Sequence, residues 1–225
     1  MSIGDGTQIS SNAVIKSGTI IGKNCRIFQG SVIGEIPQDL KFEGEKTETR
    51  VGDNTTIREF VTINKGTSAL GYTEIGNNVL LMAYLHVAHD CIVKDNVIMA
   101  NKTTLGGHAK INDWAFLGGG VLVHQFCKVG EHSIVAAGFR AVQDVPPYIT
   151  ASGEPLKYSG LNNIGLRRRG FTPEKRKLIK KIYSLYFRSS LPRTKALDEI
   201  KNKYSGSDIS KSIINFVENS QRGII

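Results

Sequence analysis

The sequence is poor in the residues that mark several classes of protein. Three cysteines in 225 residues are too few and odd in number for a disulfide scaffold, so a reducing compartment is expected. No apolar run approaches the roughly 18 residues of a membrane-spanning helix, and residues 1–8 lack the basic and apolar stretches of a signal peptide. These absences predict a soluble, cytoplasmic protein without stable membrane insertion.

The positive charge of the chain is concentrated in its last third. Residues 155–225 hold 16 Lys and Arg against 5 Asp and Glu, whereas residues 1–154 hold 13 against 15. The formal charge of +9 therefore comes entirely from the last third. Such segregation predicts two regions, of which the second binds an acidic partner, and we do not expect nucleic acid to be that partner.

A repeat of six residues organises the first region. An apolar residue recurs at every sixth position over Ile3–Ile33, Val51–Ile63 and Ile75–Ala141. Neither an α-helix nor a free-standing strand keeps this period, but a solenoid with flat six-residue faces does. The pattern resembles the hexapeptide-repeat family, whose fold is a left-handed parallel β-helix with three such faces in each 18-residue coil. By that resemblance, residues 18 apart lie one above another at about 4.8 Å.

Small residues often stand four places after the aliphatic position, where a second inward side chain must fit near a corner. All three cysteines, Cys25, Cys91 and Cys127, occupy this position. We interpret them as buried packing residues rather than nucleophiles, because apolar surroundings raise the pKa of a thiol.

Two breaks in the repeat, at about residues 35–50 and 68–74, predict loops that leave the prism, and such loops commonly line a binding face. The repeat ends at Pro146 and Pro147, which cannot donate to a strand ladder. We therefore predict a β-helix over residues 1–148 and a basic helical region over residues 155–225.

The start of the main helix is marked by Thr172, Pro173 and Glu174, which supply an N-cap, a first-turn proline and an early acid. Two further amphipathic segments span residues 194–204 and 208–220. We predict that these helices cover the open end of the prism.

Four of the five histidines lie between positions 86 and 124, and coils of 18 residues would bring them to one face. A converging set of titratable groups beside a loop is what an acid/base site needs. Asp90 is placed to orient His89. Two interpretations of Gly107 stay open: its N–H binds an oxyanion, or the glycine only allows the chain to turn at the corner. We interpret His132, which falls outside this patch, as structural. The patch consists of His86, His89, Asp90, His108, His124 and Gln125.

Six segments carry a more specific resemblance. They are residues 34–41 (GEIPQDLK), 85–91 (LHVAHDC), 106–108 (GGH), 123–127 (VHQFC), 143–148 (QDVPPY) and 165–171 (GLRRRGF). Together they resemble the acyl-carrier-protein-dependent UDP-N-acetylglucosamine O-acyltransferases, and the likeness spans nearly the whole chain. The repeat begins about two coils later than in that family, which predicts an exposed strand edge at Ile3.

The resemblance implies transfer of a 3-hydroxyacyl chain from acyl carrier protein to the 3-position of UDP-N-acetylglucosamine or its 3-amino analogue, the first step of lipid A biosynthesis. It implies a homotrimer with sites between subunits and no metal or cofactor. His89 would be the general base, Asp90 its support, and the Gly107 N–H the oxyanion donor. The implied substrate contacts are Asp39, Lys41, His86, His108, His124, Gln125, Asn162, Arg168 and Arg169, and Ala137 would influence acyl length. Some relatives have a glutamate at the position of Ile164.

Two alternatives stay open. Hexapeptide-repeat carbonic anhydrases hold zinc with three histidines near a subunit boundary, and four clustered histidines fit that class. A non-catalytic β-helix that binds an acidic protein through its helices is the other. Bound zinc distinguishes the first alternative, and an unchanged function after His89→Ala distinguishes the second.

Overall fold

The computed structural model describes all 225 residues and consists of short strands followed by four helices. The strands of the repeat are β1 (Ser2–Ile3), β2 (Gln8–Ile9), β3 (Val14–Ile15), β4 (Thr19–Ile21), β5 (Arg26–Ile27), β6 (Val32–Glu35), β7 (Glu48–Val51), β8 (Thr56–Ile57), β9 (Thr62–Asn64), β10 (Tyr72–Ile75), β11 (Leu80–Leu81), β12 (His86–Val87), β13 (Ile92–Val93), β14 (Ile98–Met99), β15 (Thr104–Leu105), β16 (Lys110–Ile111), β17 (Phe116–Leu117), β18 (Leu122–Val123), β19 (Lys128–Val129), β20 (Ile134–Val135) and β21 (Arg140–Ala141).

These strands form the three faces of a prism, because each strand pairs in parallel with the strand three places later. His86 pairs with Thr104 and Thr104 with Leu122, so the coil is 18 residues long. The loops lengthen single coils without breaking the sheets, since Val32 still pairs with Thr62 and Thr62 with His86. The predicted left-handed parallel β-helix is confirmed.

The apolar residues of the repeat fill the prism. Leu81 and Leu117 are completely buried, whereas Ile3 in the first coil is 44% exposed. The cysteines have no solvent exposure and no disulfide partner. Burial raises the pKa of the Cys91 thiol to about 12, which agrees with a packing role for this residue.

The sheets continue past the predicted end of the repeat. Strand β22 (Ile149–Ser152) pairs in parallel with β20, and β23 (Lys157–Leu161) pairs with β22 in an antiparallel hairpin. Val135 pairs with Ala151, so this last coil is shorter than the others. The six-residue pattern could not predict the hairpin, because that pattern stops at the two prolines.

The helical region consists of α1 (Asn163–Arg168), α2 (Pro173–Arg188), α3 (Arg193–Tyr204) and α4 (Asp208–Glu218). The Thr172 side chain accepts the Lys175 N–H and caps α2, as its motif predicts. Tyr183 of α2 is fully buried and donates to the Pro147 carbonyl at 2.7 Å, so the helices share one core with the prism. The sequence did not predict α1. None of the four helices combines the length and apolar character needed to cross a membrane.

An aromatic column joins the helical region to one corner of the prism, where the chain turns between β16 and β17 and, one coil later, between β19 and β20. The His132 ring stacks between Trp114, with centroids 6.3 Å apart, and Tyr148, 5.7 Å apart. Phe171 contacts the His132 ring edge-on at 5.0 Å. The structural role expected for His132 fits this position, and the column fixes α1 and the start of α2 against the prism.

Acid should weaken this junction. Burial, reinforced by the Arg169 cation, lowers the pKa of His132 from 6.5 to about 4. The unfolded chain therefore takes up a proton at a higher pH than the folded chain, and His132 costs stability progressively as pH falls from about 6.5 to about 4. The cost between pH 6.5 and pH 5 is about 1.5 kcal/mol.

His132→Phe keeps an aromatic ring in the column and removes the titration. We expect urea unfolding between pH 7 and pH 5 to show a smaller loss of stability for this variant than for the wild type. His124→Phe, which makes the same exchange at an exposed histidine outside the aromatic column, is the matched control. Equal slopes for His132→Phe and wild type would contradict the assignment.

Candidate active site

A cavity of about 500 Å³ lies at a second corner of the prism, beside the first loop. The loop supplies one wall, and the turns after β12, β15 and β18 supply the opposite wall. Successive coils place these turns one above another, which brings residues together that are far apart in sequence. The cavity is lined by Gln38, Asp39, Lys41, Asn64, His86, Ala88, His89, His108, Gln125 and Phe126.

His89 and Asp90 form a hydrogen-bonded pair at the centre of the site. His89 Nδ1 lies 2.8 Å from Asp90 Oδ2, although adjacent side chains on a strand normally diverge. The reason is the corner: Asp90 has a φ of 58°, in the left-handed region, so its side chain leaves the strand pattern. His89 Nε2 faces Asp39 Oδ2 at 4.0 Å. The pair therefore presents one ring nitrogen to the cavity.

Asp90 is held as a carboxylate beneath the histidine, where it is only 1% exposed. Burial raises the pKa of Asp90, but hydrogen bonds from Thr67 and His89 outweigh that effect, and the pKa lies below its ordinary value. A carboxylate only accepts hydrogen bonds, so His89 carries its proton on Nδ1. The Nε2 atom is then left with a free lone pair, as a general base requires.

Two further histidines flank the pair. His108 Nε2 lies 3.7 Å from Asp90 Oδ2, and its ring stacks on Phe126 at 4.5 Å. His86 Nδ1 lies 2.7 Å from the Thr62 hydroxyl. Burial lowers the pKa of both His86 and His108, and for His108 the attraction of Asp90 only partly opposes it. Both rings are therefore neutral near pH 7, and they can exchange hydrogen bonds with a polar ligand.

Gly107 lies directly against the His89 ring. A Cβ at this position would stand 2.7 Å from both His89 Nε2 and Cε1, so a side chain here would force the His89 ring to move. The Gly107 N–H donates to no acceptor within the protein. A free backbone donor next to the basic nitrogen is suited to an oxyanion.

Two of the residues expected at the site are engaged elsewhere. His124 is exposed and does not line the cavity; its Nδ1 lies 3.1 Å from the Gln125 carbonyl and 3.2 Å from the Arg222 guanidinium. Asn162 is 4% exposed. Its amide accepts the Gly165 N–H and donates to the His132 carbonyl, so it caps α1 and ties that helix to the prism.

The two arginines lie at the corner of the aromatic column, not at that of the cavity. Arg169 stacks over the Trp114 ring at 4.9 Å, and burial lowers its pKa. Arg168 is exposed on α1. Ala137 is exposed in the turn after β20. A single chain therefore does not bring Arg168, Arg169 or Ala137 to the histidines.

One group of side chains has the spacing of metal ligands. His89, Asp90 and His108 each offer a ligand atom within 4.8 Å of the others. Zinc in the expected alternative would need three histidines, but His86 and His124 are not part of this group. Asp90 Oδ2 is also occupied by hydrogen bonds from Thr67 and His89. The geometry fits a hydrogen-bonded base better than a three-histidine metal site.

Sequence reasoning missed several residues of the site. Thr67 binds Asp90, Thr62 binds His86, and Gln38 and Asn64 line the cavity. Thr62 could have been found, because coil stacking across the second loop places it beside His86. Thr67 lies within an insertion, where the repeat gives no register.

Gly107→Ala should displace the His89 ring, since the added methyl would overlap it. A crystal structure of the variant is expected to show the ring moved and the bond between His89 Nδ1 and Asp90 lengthened. Gly119→Ala is the matched control, because Gly119 has the same place in its hexad and a Cβ there would meet only Asn101 O, at 3.4 Å. An unmoved His89 ring in Gly107→Ala would refute the contact.

Known protein families match both regions of the chain. The family profile described as UDP N-acetylglucosamine O-acyltransferase, domain 2, matches residues 144–225. The bacterial transferase hexapeptide profile (six repeats) matches residues 1–35 and 72–107.

Relatives match over nearly the full length of the chain. The acyl-[acyl-carrier-protein]–UDP-N-acetylglucosamine O-acyltransferase of Herminiimonas arsenicoxydans is 44% identical over 91% of this chain and 80% of its own. The enzyme of that name from Thermodesulfovibrio yellowstonii is 43% identical over 99% and 86%. The crystal structure of the UDP-N-acetylglucosamine acyltransferase of Bacteroides fragilis superposes with a TM-score of 0.97 at 47% identity, covering 99% of this chain and 88% of that one. The chain therefore belongs to the acyl-[acyl-carrier-protein]–UDP-N-acetylglucosamine O-acyltransferase family, and it is an acyltransferase.

Proposed function

We propose that the protein moves a 3-hydroxyacyl group from acyl carrier protein to the 3-position of UDP-N-acetylglucosamine or its 3-amino analogue, the first step of lipid A biosynthesis. One observation carries the proposal: Asp90 holds His89 by Nδ1 and leaves Nε2 facing the cavity, beside the free N–H of Gly107. Acyl carrier protein as donor and UDP-N-acetylglucosamine as acceptor are taken from the names of two relatives, which are 44% and 43% identical over 91% and 99% of the chain.

In the first step, His89 Nε2 takes the proton from the sugar 3-hydroxyl as the oxygen attacks the thioester carbon. Asp90 keeps the ring oriented and stabilises the imidazolium that results. A positioned general base of this kind contributes about 10²- to 10⁴-fold to the rate. With an amine acceptor the same nitrogen takes the proton from nitrogen instead of oxygen.

In the second step, the carbon–sulfur bond breaks. The thioester oxygen carries a negative charge in the tetrahedral intermediate, and the Gly107 N–H donates to it. As the carbonyl re-forms, the thiolate leaves and accepts the proton from His89. The products are the acylated sugar nucleotide and the free thiol of the carrier, so no acyl-enzyme and no cofactor enters the sequence.

The remaining residues of the cavity surround the acceptor sugar. Asp39 and Lys41 project from the first loop, whereas Gln125 and His108 lie on the opposite wall. Hydroxyl groups of a sugar are donors and acceptors, and they match this mixture of carboxylate, ammonium, amide and imidazole. We assign His86 a supporting role, because Thr62 already binds its ring.

A homotrimer would complete the site. One face of each prism carries a ladder of half-buried apolar residues on β11, β14, β17 and β20, which a second subunit can cover. We propose that the arginine corner of one subunit, which carries Arg168 and Arg169, faces the histidine corner of its neighbour. Arg168 and Arg169 would then bind the nucleotide diphosphate through forked donors. The ladder consists of Leu80, Ile98, Phe116 and Ile134.

The basic helical region suits an acidic carrier protein. Lys175, Lys177, Lys180 and Lys181 are exposed on α2 and form no ion pair within the chain. Unpaired positive charge of this kind accelerates association with an acidic protein and makes it sensitive to salt. We therefore propose α2 as the surface that first meets acyl carrier protein.

Replacement of the base should remove most of the transfer activity without unfolding the protein. His89→Ala is expected to lower kcat by about 10²-fold or more, because the imidazole lies on the cavity wall and not in the core. The assay uses purified protein, 3-hydroxyacyl carrier proteins of several chain lengths, and both 3-hydroxy and 3-amino UDP-sugars. Circular dichroism and size-exclusion chromatography serve as controls for folding and assembly.

Other outcomes of that assay identify the alternatives. Stoichiometric zinc in the purified protein, with activity lost to a chelator, would favour the carbonic anhydrase class. An acyl-transfer rate unchanged by His89→Ala would exclude this residue as the base.

The nucleotide role of Arg168 predicts a selective kinetic effect. Arg168→Ala should raise KM for the UDP-sugar by about tenfold, because a charged hydrogen bond to phosphate is worth about 1.5–3 kcal/mol. KM for the acyl carrier protein should not change. Arg167→Ala, at the neighbouring exposed arginine, is the matched control. An unchanged KM for the UDP-sugar in Arg168→Ala would refute the assignment.

A further inference from the structure

The second loop, which connects β9 to β10, reaches under the active site and binds Asp90. The Thr67 N–H donates to Asp90 Oδ1 at 3.0 Å, and the Thr67 hydroxyl lies 2.7 Å from Asp90 Oδ2. Thr67 is 8% exposed, so no solvent competes strongly for these bonds. Thr67, which lies on a segment outside the repeat, therefore extends the hydrogen-bonded pair of His89 and Asp90 to three residues.

The direction of the hydroxyl bond is fixed by a neighbour. The Ala69 N–H donates to Thr67 Oγ1 at 3.2 Å. The hydroxyl accepts there and uses its own proton for Asp90 Oδ2, which as a carboxylate can only accept. His89 Nδ1 donates to the same oxygen at 2.8 Å. Thr67 and His89 thus share one carboxylate oxygen.

The loop has little freedom to move away. The Thr47 hydroxyl donates to the Gly66 carbonyl at 2.6 Å, and the Ser68 N–H donates to Glu45 at 3.1 Å, so the first loop holds the second. A Cβ on Gly66 would stand 2.3 Å from the backbone nitrogen of Tyr72, which shows how closely the loop is packed. The position of Thr67 is set by these contacts.

We propose that Thr67 is a positioning residue that tunes the basicity of His89 through Asp90. The inference rests on the proposed function, in which His89 is the general base. A donor on Oδ2 draws negative charge from the oxygen that faces His89, and it thereby weakens the stabilisation of the imidazolium. Thr67 also fixes the rotation of the carboxylate, so that Oδ2 points at Nδ1. Without the hydroxyl, the pair binds its proton more strongly.

Other charged and titratable groups face the pair and remain in place in the test. Asp39 lies 4.0 Å from His89 Nε2 on the first loop, and His108 lies 3.7 Å from Asp90 Oδ2 on the next coil. Glu45 reaches the second loop, where it binds Ser68. A comparison of variants that differ only at residue 67 isolates the contribution of Thr67.

The experiment compares Thr67→Val, which removes the hydroxyl and keeps the shape, with Thr67→Ser, which keeps the hydroxyl. The acid limb of kcat/KM against pH should move upward by about 0.5–1 pH unit in Thr67→Val. A hydrogen bond to a charged group is worth about 1.5–3 kcal/mol, and only the part of it that differs between neutral and protonated His89 changes the midpoint. Thr67→Ser should keep the wild-type midpoint. Histidine-labelled NMR should show the same upward displacement for the His89 ring without any substrate.

The outcomes separate this inference from the proposed function. A Thr67→Val enzyme with reduced stability or rate but a wild-type midpoint would reduce Thr67 to a structural residue and overturn the inference. If the wild type transfers no acyl group, the proposed function fails, while the NMR titration still tests Thr67. Should Thr67→Val not fold, Thr67→Ala makes the same comparison with a smaller side chain.

Discussion

The structure depends on the stacking of one coil directly on the next. Backbone hydrogen bonds between successive coils impose a fixed register, so His86 lies beside Thr104 and Val87 beside Leu105. A site built from residues far apart in sequence is then as well defined as one built on a single strand. The buried ladder of aliphatic residues stabilises the register, because a shift by one residue would expose it.

The corners allow neighbouring side chains to point toward each other, which regular strands do not. Asp90 and His108 both adopt positive φ, at 58° and 62°, and their side chains leave the alternation of the flanking strands. This conformation is unfavourable for most residues, and here it is supported by coil stacking and, at Asp90, by Thr67. The reactive geometry therefore comes from two sources: the prism positions the rings, and the loops fix the carboxylate and close the cavity.

The sequence predicted the prism and the column of histidines because the six-residue period carries both. It did not predict Thr67, which lies in a segment without periodicity, or the hairpin of β22 and β23, which follows the prolines that end the pattern. In the structure, the side chain of His124 lies against Arg222, and Asn162 caps α1. Such side-chain positions depend on tertiary contacts that no local pattern encodes.

The two loops leave the prism and return to it with the coils on either side still paired, apart from one register shift between Ile33 and Glu35 where the first loop begins. The buried prism and the loops that line the cavity can consequently change independently of each other. Changes in loop length or composition can reshape the space around an acceptor while the buried interior stays the same. A protein built this way can acquire a new specificity by exchanging surface segments, at little risk to its folding.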